Sequence, residues 1–409
     1  MNCRFCGTPL QDVFLDLGTA PPSNAFLSAE ALEAPEFWFP LKVITCRECH
    51  LVQIDEVQQR ERLFAPDYAY YSSYSRSWLA HAARYVDKAV ARLGLGAGSL
   101  VIEVASNDGY LLQYVSERGI PCVGIEPTAG TAEAARSRGI ETLVRFFSAA
   151  FAHELVAKRG HADLIVGNNV LAHVPDINDF VAGLATLLAE RGAITVEFPH
   201  LLELVAKRQF DTVYHEHFSY LSFHTVRRIF AAHGLRVWDV EQLSTHGGSL
   251  RVWACHEGAT HAETPAVAGL LALEQQAGMF ELTYYQGFQS VAEMVKDDFL
   301  RFLLRQKSEG KRVVGYGAAA KGNTLINFAG VRSDLLSFVA DASPHKQGRF
   351  LPGSRIPVVD EKQLRAARPD FVVVLPWNLR DEIIAQLAYV REWGGQLVFV
   401  VPSLQIVAA

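Results

Sequence analysis

A chain of 409 residues, 50% hydrophobic and 20% charged, exceeds one ordinary core and has the balance of a globular protein of two or three domains, which excludes a mainly disordered one. A formal net charge of −6 with no Lys/Arg block disfavours nucleic acid as a partner. No basic segment followed by an apolar run opens the chain, and no apolar stretch is long enough to span a bilayer, so no membrane is expected and the cytoplasm is the expected location.

Residues 1–66 read as a small metal-stapled module. Six cysteines are too few and too unevenly placed for a disulfide framework, but four form the pairs Cys3-Arg-Phe-Cys6 and Cys46-Arg-Glu-Cys49. Each pair presents two sulfurs, and together they make a tetrahedral set suited to zinc. His50 is an alternative ligand, although a surface or outer role suits it better. Four thiolates leave no open coordination position, so the zinc is structural. Cys122 and Cys255 fall inside predicted strands and read as buried free thiols.

Residues 67–260 begin with a Tyr/Ser-rich stretch that includes Tyr68, Tyr71 and Tyr74, followed by a helical pattern from Trp78 to Leu93. Apolar strands at Leu100–Val104, Gly119–Ile125, Ala162–Val166 and Ala193–Phe198 then alternate with helices, which predicts a parallel sheet covered on both faces. Leu235–Val240 and Ser249–Cys255 predict a terminal antiparallel pair. The first strand runs into Glu103-Val-Ala105-Ser106-Asn107-Asp-Gly109-Tyr110, small and polar residues that let a backbone approach a ligand, and Glu126-Pro127 after the next strand suits ribose hydroxyls. This is a signal for a nucleoside cofactor, although Ala105 and Ser106 stand where a glycine-rich fingerprint has glycines. Asn168 and Asn169 end the third strand at the ligand edge. Phe146 and Phe147 could sandwich an adenine or simply belong to the core, and His173 could equally be a cap or core histidine.

Tyr214-His215-Glu216-His217-Phe218-Ser219-Tyr220 concentrates titratable groups in a predicted loop. His-Glu-His lacks the four-residue histidine spacing of a helical zinc protease motif. His217, poised near neutrality, could take a weakly acidic C–H proton with Glu216 orienting it, against the alternative of an aromatic-polar loop with solvated histidines. Proton loss next to a ketone gives an enolate whose oxygen needs preplaced donors, for which Tyr68, Tyr214 and His173 are suited.

Residues 261–309 read as a helical connector and 310–409 as a second, smaller α/β domain. Its loop Gly315-Tyr-Gly317-Ala-Ala-Ala-Lys321-Gly322 follows a strand and opens a helix, so it could cradle a pyrophosphate or belong to an empty Rossmann-like fold. Lys346 and Arg349, after Asp341, are a second diphosphate candidate, with a solvated basic turn as the alternative. His246 and Arg251 in Thr-His-Gly-Gly-Ser-Leu-Arg divide similarly between substrate contact and structure.

Taken in order, the two CxxC pairs and the motifs at 103–110, 214–220, 245–251 and 315–322 resemble the three-domain, zinc-containing sugar 3-C-methyltransferases of deoxysugar biosynthesis, over nearly the whole chain. The resemblance implies a zinc-binding domain, a central class I S-adenosylmethionine (SAM) methyltransferase domain of Rossmann-like fold, and a C-terminal Rossmann-like domain that helps enclose a dTDP-linked 4-keto-deoxysugar. It implies His217 as the base at C3, with Tyr68, His173, Tyr214 and Glu216 lining the pocket. SAM contacts are expected from Glu103, Ala105, Ser106, Asn107, Gly109, Tyr110, Glu126, Pro127, Phe147, Asn168 and Asn169. Substrate contacts are expected from Tyr71, Tyr74, His246, Arg251, Gly317, Lys321, Asn323, Asp341, Lys346 and Arg349. A monomer or small homo-oligomer is expected. The competing readings are a zinc-containing methyltransferase for another substrate such as RNA, which the acidic charge and the missing Asn-Pro-Pro-Tyr loop disfavour, and a non-catalytic nucleotide-sugar-binding protein.

Overall fold

A computed structural model describes residues 1–55 and 71–408. In chain order its strands are β1 (Asp12–Ala20), β2 (Phe39–Thr45), β3 (Val52–Ile54), β4 (Val101–Val104), β5 (Cys122–Ile125), β6 (Thr142–Leu143), β7 (Ala162–Asn168), β8 (Leu188–Pro199), β9 (Ser219–Tyr220), β10 (Leu235–Leu243), β11 (Ser249–His256), β12 (Val313–Tyr316), β13 (Val339–Ala340), β14 (Val358–Val359), β15 (Phe371–Val374), β16 (Gln396–Phe399) and β17 (Gln405–Ala408). They form three sheets, in the orders β1-β2-β3-β9, β10-β11-β8-β7-β4-β5-β6 and β14-β13-β12-β15-β16-β17. No helix among the described residues is long and apolar enough to cross a membrane.

The central sheet is parallel from β6 to β8 and closes with the antiparallel pair β11 and β10. Every residue of β4 is buried, as an apolar run covered on both faces requires. The helices that cover it begin at residues whose side chains satisfy orphan amides: Ser75 accepts from the Trp78 N–H at 3.3 Å, Ser148 from Phe151 at 3.1 Å, Asp176 from Asp179 at 3.0 Å and Ser222 from Thr225 at 3.1 Å. Because β4 pairs with β5 on one side and β7 on the other, its carboxyl end lies at the switch in strand order where open α/β sheets leave a crevice. The C-terminal sheet is parallel from β14 to β16, with β17 antiparallel at its edge.

Two features depart from the pattern-based expectation. The last two residues of the Tyr214–Tyr220 motif form β9, which pairs with β3 through Val52↔Tyr220 and Gln53↔Ser219 and so completes the sheet of the cysteine-bearing module. A two-residue strand is too short to leave a period in the sequence. The stretch read as a helical connector is two helices, Pro265–Gln276 and Phe288–Ser308. Val267 and Leu270 of the first lie in the core of the central sheet. Phe288, Val295 and Phe299 of the second join Phe14 and Val43 of the module, Phe210 and Phe218 of the centre and Leu325 of the C-terminal part in one continuous core. Glu274 reaches back from the first helix to accept from the Phe223 and His224 amides at 2.6 and 2.7 Å and to pair with His200 at 2.7 Å.

The turn between β10 and β11 is pressed against the C-terminal part. A Cβ on Gly247, whose φ is +90°, would lie 2.6 Å from Gln209 Nε2 and 2.7 Å from the Trp377 ring. Gly247→Ala is therefore expected to destabilise the protein by about 1–3 kcal/mol through displacement of the indole and strain in the left-handed backbone. Thermal denaturation checks this, with a lowered Tm as the expected result.

Candidate active site

A cavity of about 390 Å³ opens beyond the carboxyl ends of β4, β5 and β7 and runs to the amino end of the helix Ala320–Phe328. At the first end, Ala105, Asn107 and Gly109 all have positive φ, 58°, 49° and 75°, which folds the loop after β4 tightly under the cavity. Ala105 and Asn107 thus take left-handed backbone that costs a side-chain-bearing residue about 1–2 kcal/mol, a strain that clusters at ligand sites. Glu126 fixes this loop: its carboxylate accepts from the Asn107 N–H at 2.9 Å, the Thr128 N–H at 2.9 Å and the Thr128 hydroxyl. Burial pushes Glu126 above the usual carboxylate range, and these donors pull it back.

Ala105, Asn107, Tyr110, Glu126, Pro127, Phe147, Asn168 and Asn169 all line this end. Asn168 donates to the Tyr110 hydroxyl at 3.3 Å, and its own carbonyl oxygen is buried with no hydrogen-bond partner. That orphaned acceptor, the Glu126 carboxylate and the apolar wall of Phe147 fit a nucleoside carrying hydroxyl and amino groups. Phe147 is also a core residue, edge-on to Phe180 at 5.3 Å. Glu103, Ser106 and Gly109 lie beneath the cavity surface. Burial pushes Glu103 well above the usual carboxylate range, and Ser106 packs on Gly124, where an added Cβ would meet its hydroxyl at 2.4 Å.

The middle of the cavity carries His217, Tyr214, His173, Glu216 and His246. His217 Nδ1 lies 2.9 Å from the Thr212 carbonyl oxygen. A carbonyl only accepts, so Nδ1 carries the proton and Nε2 carries the lone pair. The His217 ring centroid is 4.0 Å from that of Tyr214 and 4.7 Å from that of His173. Burial, reinforced by His173 beside it, holds His217 well below the ordinary imidazole range. Burial likewise takes His173 and His246 down to about 4. His246 has a left-handed backbone with φ 54°, fixed by hydrogen bonds from Lys207 Nζ and Gln209 Nε2 to the Gly247 carbonyl at 2.9 and 3.0 Å.

At the far end stand Ala319, Ala320, Lys321 and Lys346. Lys321 Nζ donates to Asn378 Oδ1 at 2.8 Å and lies 4.5 Å from the Trp377 ring centroid. Burial lowers its pKa to about 8 against the pull of Asp211. Asp211, itself raised to about 6 by burial, accepts from Trp377 Nε1 at 2.7 Å.

Several expected substrate residues do not line the cavity. Arg251 is buried in the central sheet, where it donates to Glu197 at 2.7 Å and lies 3.1 Å from His81; against burial, His81, 2.9 Å from the same carboxylate, and then Arg251 hold Glu197 below its usual range. Asp341 accepts from the Ala318 and Ser343 amides at 2.7 and 2.8 Å and thereby closes the Gly315–Gly322 loop. Gly317 permits that loop to pass Pro376, whose Cδ would be 2.4 Å from an added Cβ. Asn323 donates to the Ser23 carbonyl at 2.6 Å and so ties the module to the C-terminal part. Arg349 and Tyr74 are exposed, and Tyr71 stacks on His345 at 6.4 Å. Tyr68 lies outside the described residues. Pattern reasoning overlooked Asn24, Trp78, Thr128, Arg145 and Thr212, which all line the cavity. Thr212 acts through its backbone and Asn24 arrives from the module, so neither leaves a local signal.

The ligand sulfurs of Cys3, Cys6, Cys46 and Cys49 all lie within 4.8 Å of one another, with Cys3–Cys49 and Cys6–Cys46 each 3.5 Å apart. That spacing suits four thiolates around one tetrahedral zinc. Gln53 Nε2 donates to Cys3 Sγ at 3.2 Å while its carbonyl receives the Arg4 amide at 3.0 Å. His50 stacks instead on Tyr285 at 5.7 Å.

Fold and site together define a SAM-dependent methyltransferase carrying a structural zinc module. Three family models match: "Putative zinc binding domain" over residues 3–64, "Methyltransferase domain" over 78–240 and "C-methyltransferase C-terminal domain" over 244–402. The chain is 37% identical to the C-methyltransferase NovU of Streptomyces niveus over 411 aligned residues, covering 100% of this chain and 97% of that protein. It belongs to this family of C-methyltransferases. Among solved structures, the magnesium protoporphyrin IX methyltransferase of Synechocystis, 17% identical, covers 44% of this chain and 82% of its own, and a SAM-dependent methyltransferase of Mesorhizobium loti, 14% identical, covers 43% and 99%; both have TM-scores of 0.35, too low to carry an argument.

Zinc removal tests the metal centre. Cys46→Ser is expected to abolish bound zinc and lower the Tm, whereas Gln53→Leu is expected to retain the metal with affinity reduced ~10–100-fold, as loss of an outer-sphere hydrogen bond does. Metal analysis with competitive chelation measures both.

Proposed function

We propose that this cavity methylates C3 of a nucleotide-linked 4-keto-deoxysugar, carried as a dTDP sugar, in branched deoxysugar biosynthesis in the cytoplasm. The observation that carries the reading is the neutral, buried His217, locked by the Thr212 carbonyl with its Nε2 lone pair available. It stands between a nucleoside-shaped end and an end furnished with Lys321, Lys346 and the amino terminus of a helix. The motif resemblance supports the sugar assignment, and the two cations suit a diphosphate.

Methylation at carbon requires an electron-rich carbon. His217 Nε2 takes the C3 proton, the C–H electron pair moves into the C3–C4 bond, and the carbonyl π pair moves onto the C4 oxygen as an enolate. Tyr214, packed on the His217 ring, offers its hydroxyl as a donor to that oxygen, in a site where water is displaced and its dipole counts for more; the single ring N–H of neutral His173 is taken by the Glu216 backbone carbonyl. SAM supplies an electrophilic methyl group at this carbon. Lys321 and Lys346 hold the substrate's anionic end while Glu216 offers an acceptor to a sugar donor group.

His217→Asn keeps the ring's approximate size but loses the base. Transfer of labelled methyl to dTDP-4-keto-6-deoxyglucose is expected to fall ~10²–10⁴-fold, with SAM affinity measured by calorimetry unchanged. Because His217 stays neutral well below the ordinary imidazole value, kcat/KM in the wild type should hold through pH 6.5 and decline only at lower pH. A decline centred near 6.5 would mean that an ordinary exposed imidazole is the base.

A further inference from the structure

Asn24 belongs to the zinc-bearing module by sequence, yet its side chain lines the cavity, and its Nδ2 donates to Glu216 Oε1 at 2.7 Å. The segment that carries it is clamped on both sides by the C-terminal part. Asn323 holds the Ser23 carbonyl at 2.6 Å, and Leu27 exchanges two backbone hydrogen bonds with Phe350, each 2.9 Å. Within the segment, the Ala25 N–H bonds the Pro22 carbonyl at 3.0 Å. Three regions of the chain thus converge on one amide–carboxylate contact. An amide N–H can only donate, so it holds Glu216 as an acceptor in one rotamer, and amide and carboxylate of the same shape are opposite in this property.

We propose that Asn24 is a positioning residue for the methylation reaction, its amide holding the Glu216 carboxylate as an acceptor for a hydroxyl or ammonium donor on the sugar. This rests on the reading of the cavity given above. Among the described residues, the titratable groups sharing the cavity with Glu216 are His173, His217, His246 and Tyr214 from the centre, Lys321 and Lys346 from the C-terminal part, and Tyr110, Glu126 and Arg145 at the cofactor end. His215 turns away, with Nε2 3.1 Å from the Pro40 carbonyl.

The decisive variant is Asn24→Asp in the full chain, with zinc content as a check on folding. Two facing carboxylates share a proton with a raised apparent pKa. At pH 5.5 the introduced carboxyl group, protonated, donates to Glu216 as the amide does, and turnover of dTDP-4-keto-6-deoxyglucose should lie within ~3-fold of wild type; by pH 8 it should be down by ~10-fold or more. Asn24→Ala should lose about tenfold at every pH. A role confined to holding the loop in place would make both losses independent of pH.

A second readout needs no sugar. The folded pair has the raised pKa, so its penalty is absent at low pH and grows as pH rises. The Tm gap between wild type and Asn24→Asp should therefore widen from pH 5.5 to 8, and the widening should vanish when both carry Glu216→Gln. A pH-independent loss of turnover together with a constant Tm gap overturns the proposal. If Glu216→Gln is slow while both Asn24 variants match wild type, the role of Asn24 fails and the active-site reading stands. If Glu216→Gln is as fast as wild type, the acceptor role of the Glu216 carboxylate fails and the role of Asn24 with it, whereas the active-site reading falls only if His217→Asn also retains full methyl transfer.

Discussion

The hydrogen bond from His217 Nδ1 to the Thr212 carbonyl, 2.9 Å long, decides what the rest of the cavity can do. It selects one tautomer, fixes the plane of the ring and leaves Nε2 as the only basic atom of that ring presented to a ligand. The loop bearing it is itself held from outside the central domain, since β9 begins two residues after His217 and pairs with β3 of the zinc module, and the Ile54 amide bonds the Phe218 carbonyl at 3.1 Å. The sheet to which β9 is added belongs to the module whose four cysteines suit a structural zinc, so the module helps set the position of His217.

Burial then determines the charge state of each wall. His173, His217 and His246 are all held below the ordinary imidazole range by desolvation, so the middle of the cavity is lined by neutral imidazoles that can donate and accept. Apart from the Glu216 carboxylate, charge is kept at the ends. Glu126 organises the loop after β4 through three donors, and Lys321, lowered to about 8, remains largely cationic at neutral pH beside Asp211 and Trp377. Neutral imidazoles between a carboxylate end and a cationic end suit a ligand pair in which proton removal occurs in the middle and anionic groups lie at the far side.

Much of this was legible in the sequence because it is local. The CxxC spacing, the strand-loop-helix at 101–116, the acid after β5 and the β10–β11 pair each follow from periodicity or from residue chemistry within a short window. What escaped was set by contact over distance. Arg251 stands in an ordinary strand pattern, and only the fold shows that Glu197 and His81, far away in sequence, take its guanidinium into the sheet. Asp341 occupies the place of an acid after a strand, as Glu126 does, but here the Ala318 and Ser343 amides occupy its carboxylate. Asn24 and Thr212 line the cavity with no motif around them, one through a segment clamped by another domain and the other through a backbone oxygen.

The state of one imidazole bears on all of this. Nitrogen-15 NMR of histidine-labelled protein, with the His217 signals assigned by difference against His217→Asn, reads the protonation of each ring nitrogen directly. The account predicts that from pH 8 down to 6 Nδ1 carries the proton and Nε2 does not. An imidazolium at neutral pH, or the proton on Nε2, would contradict it.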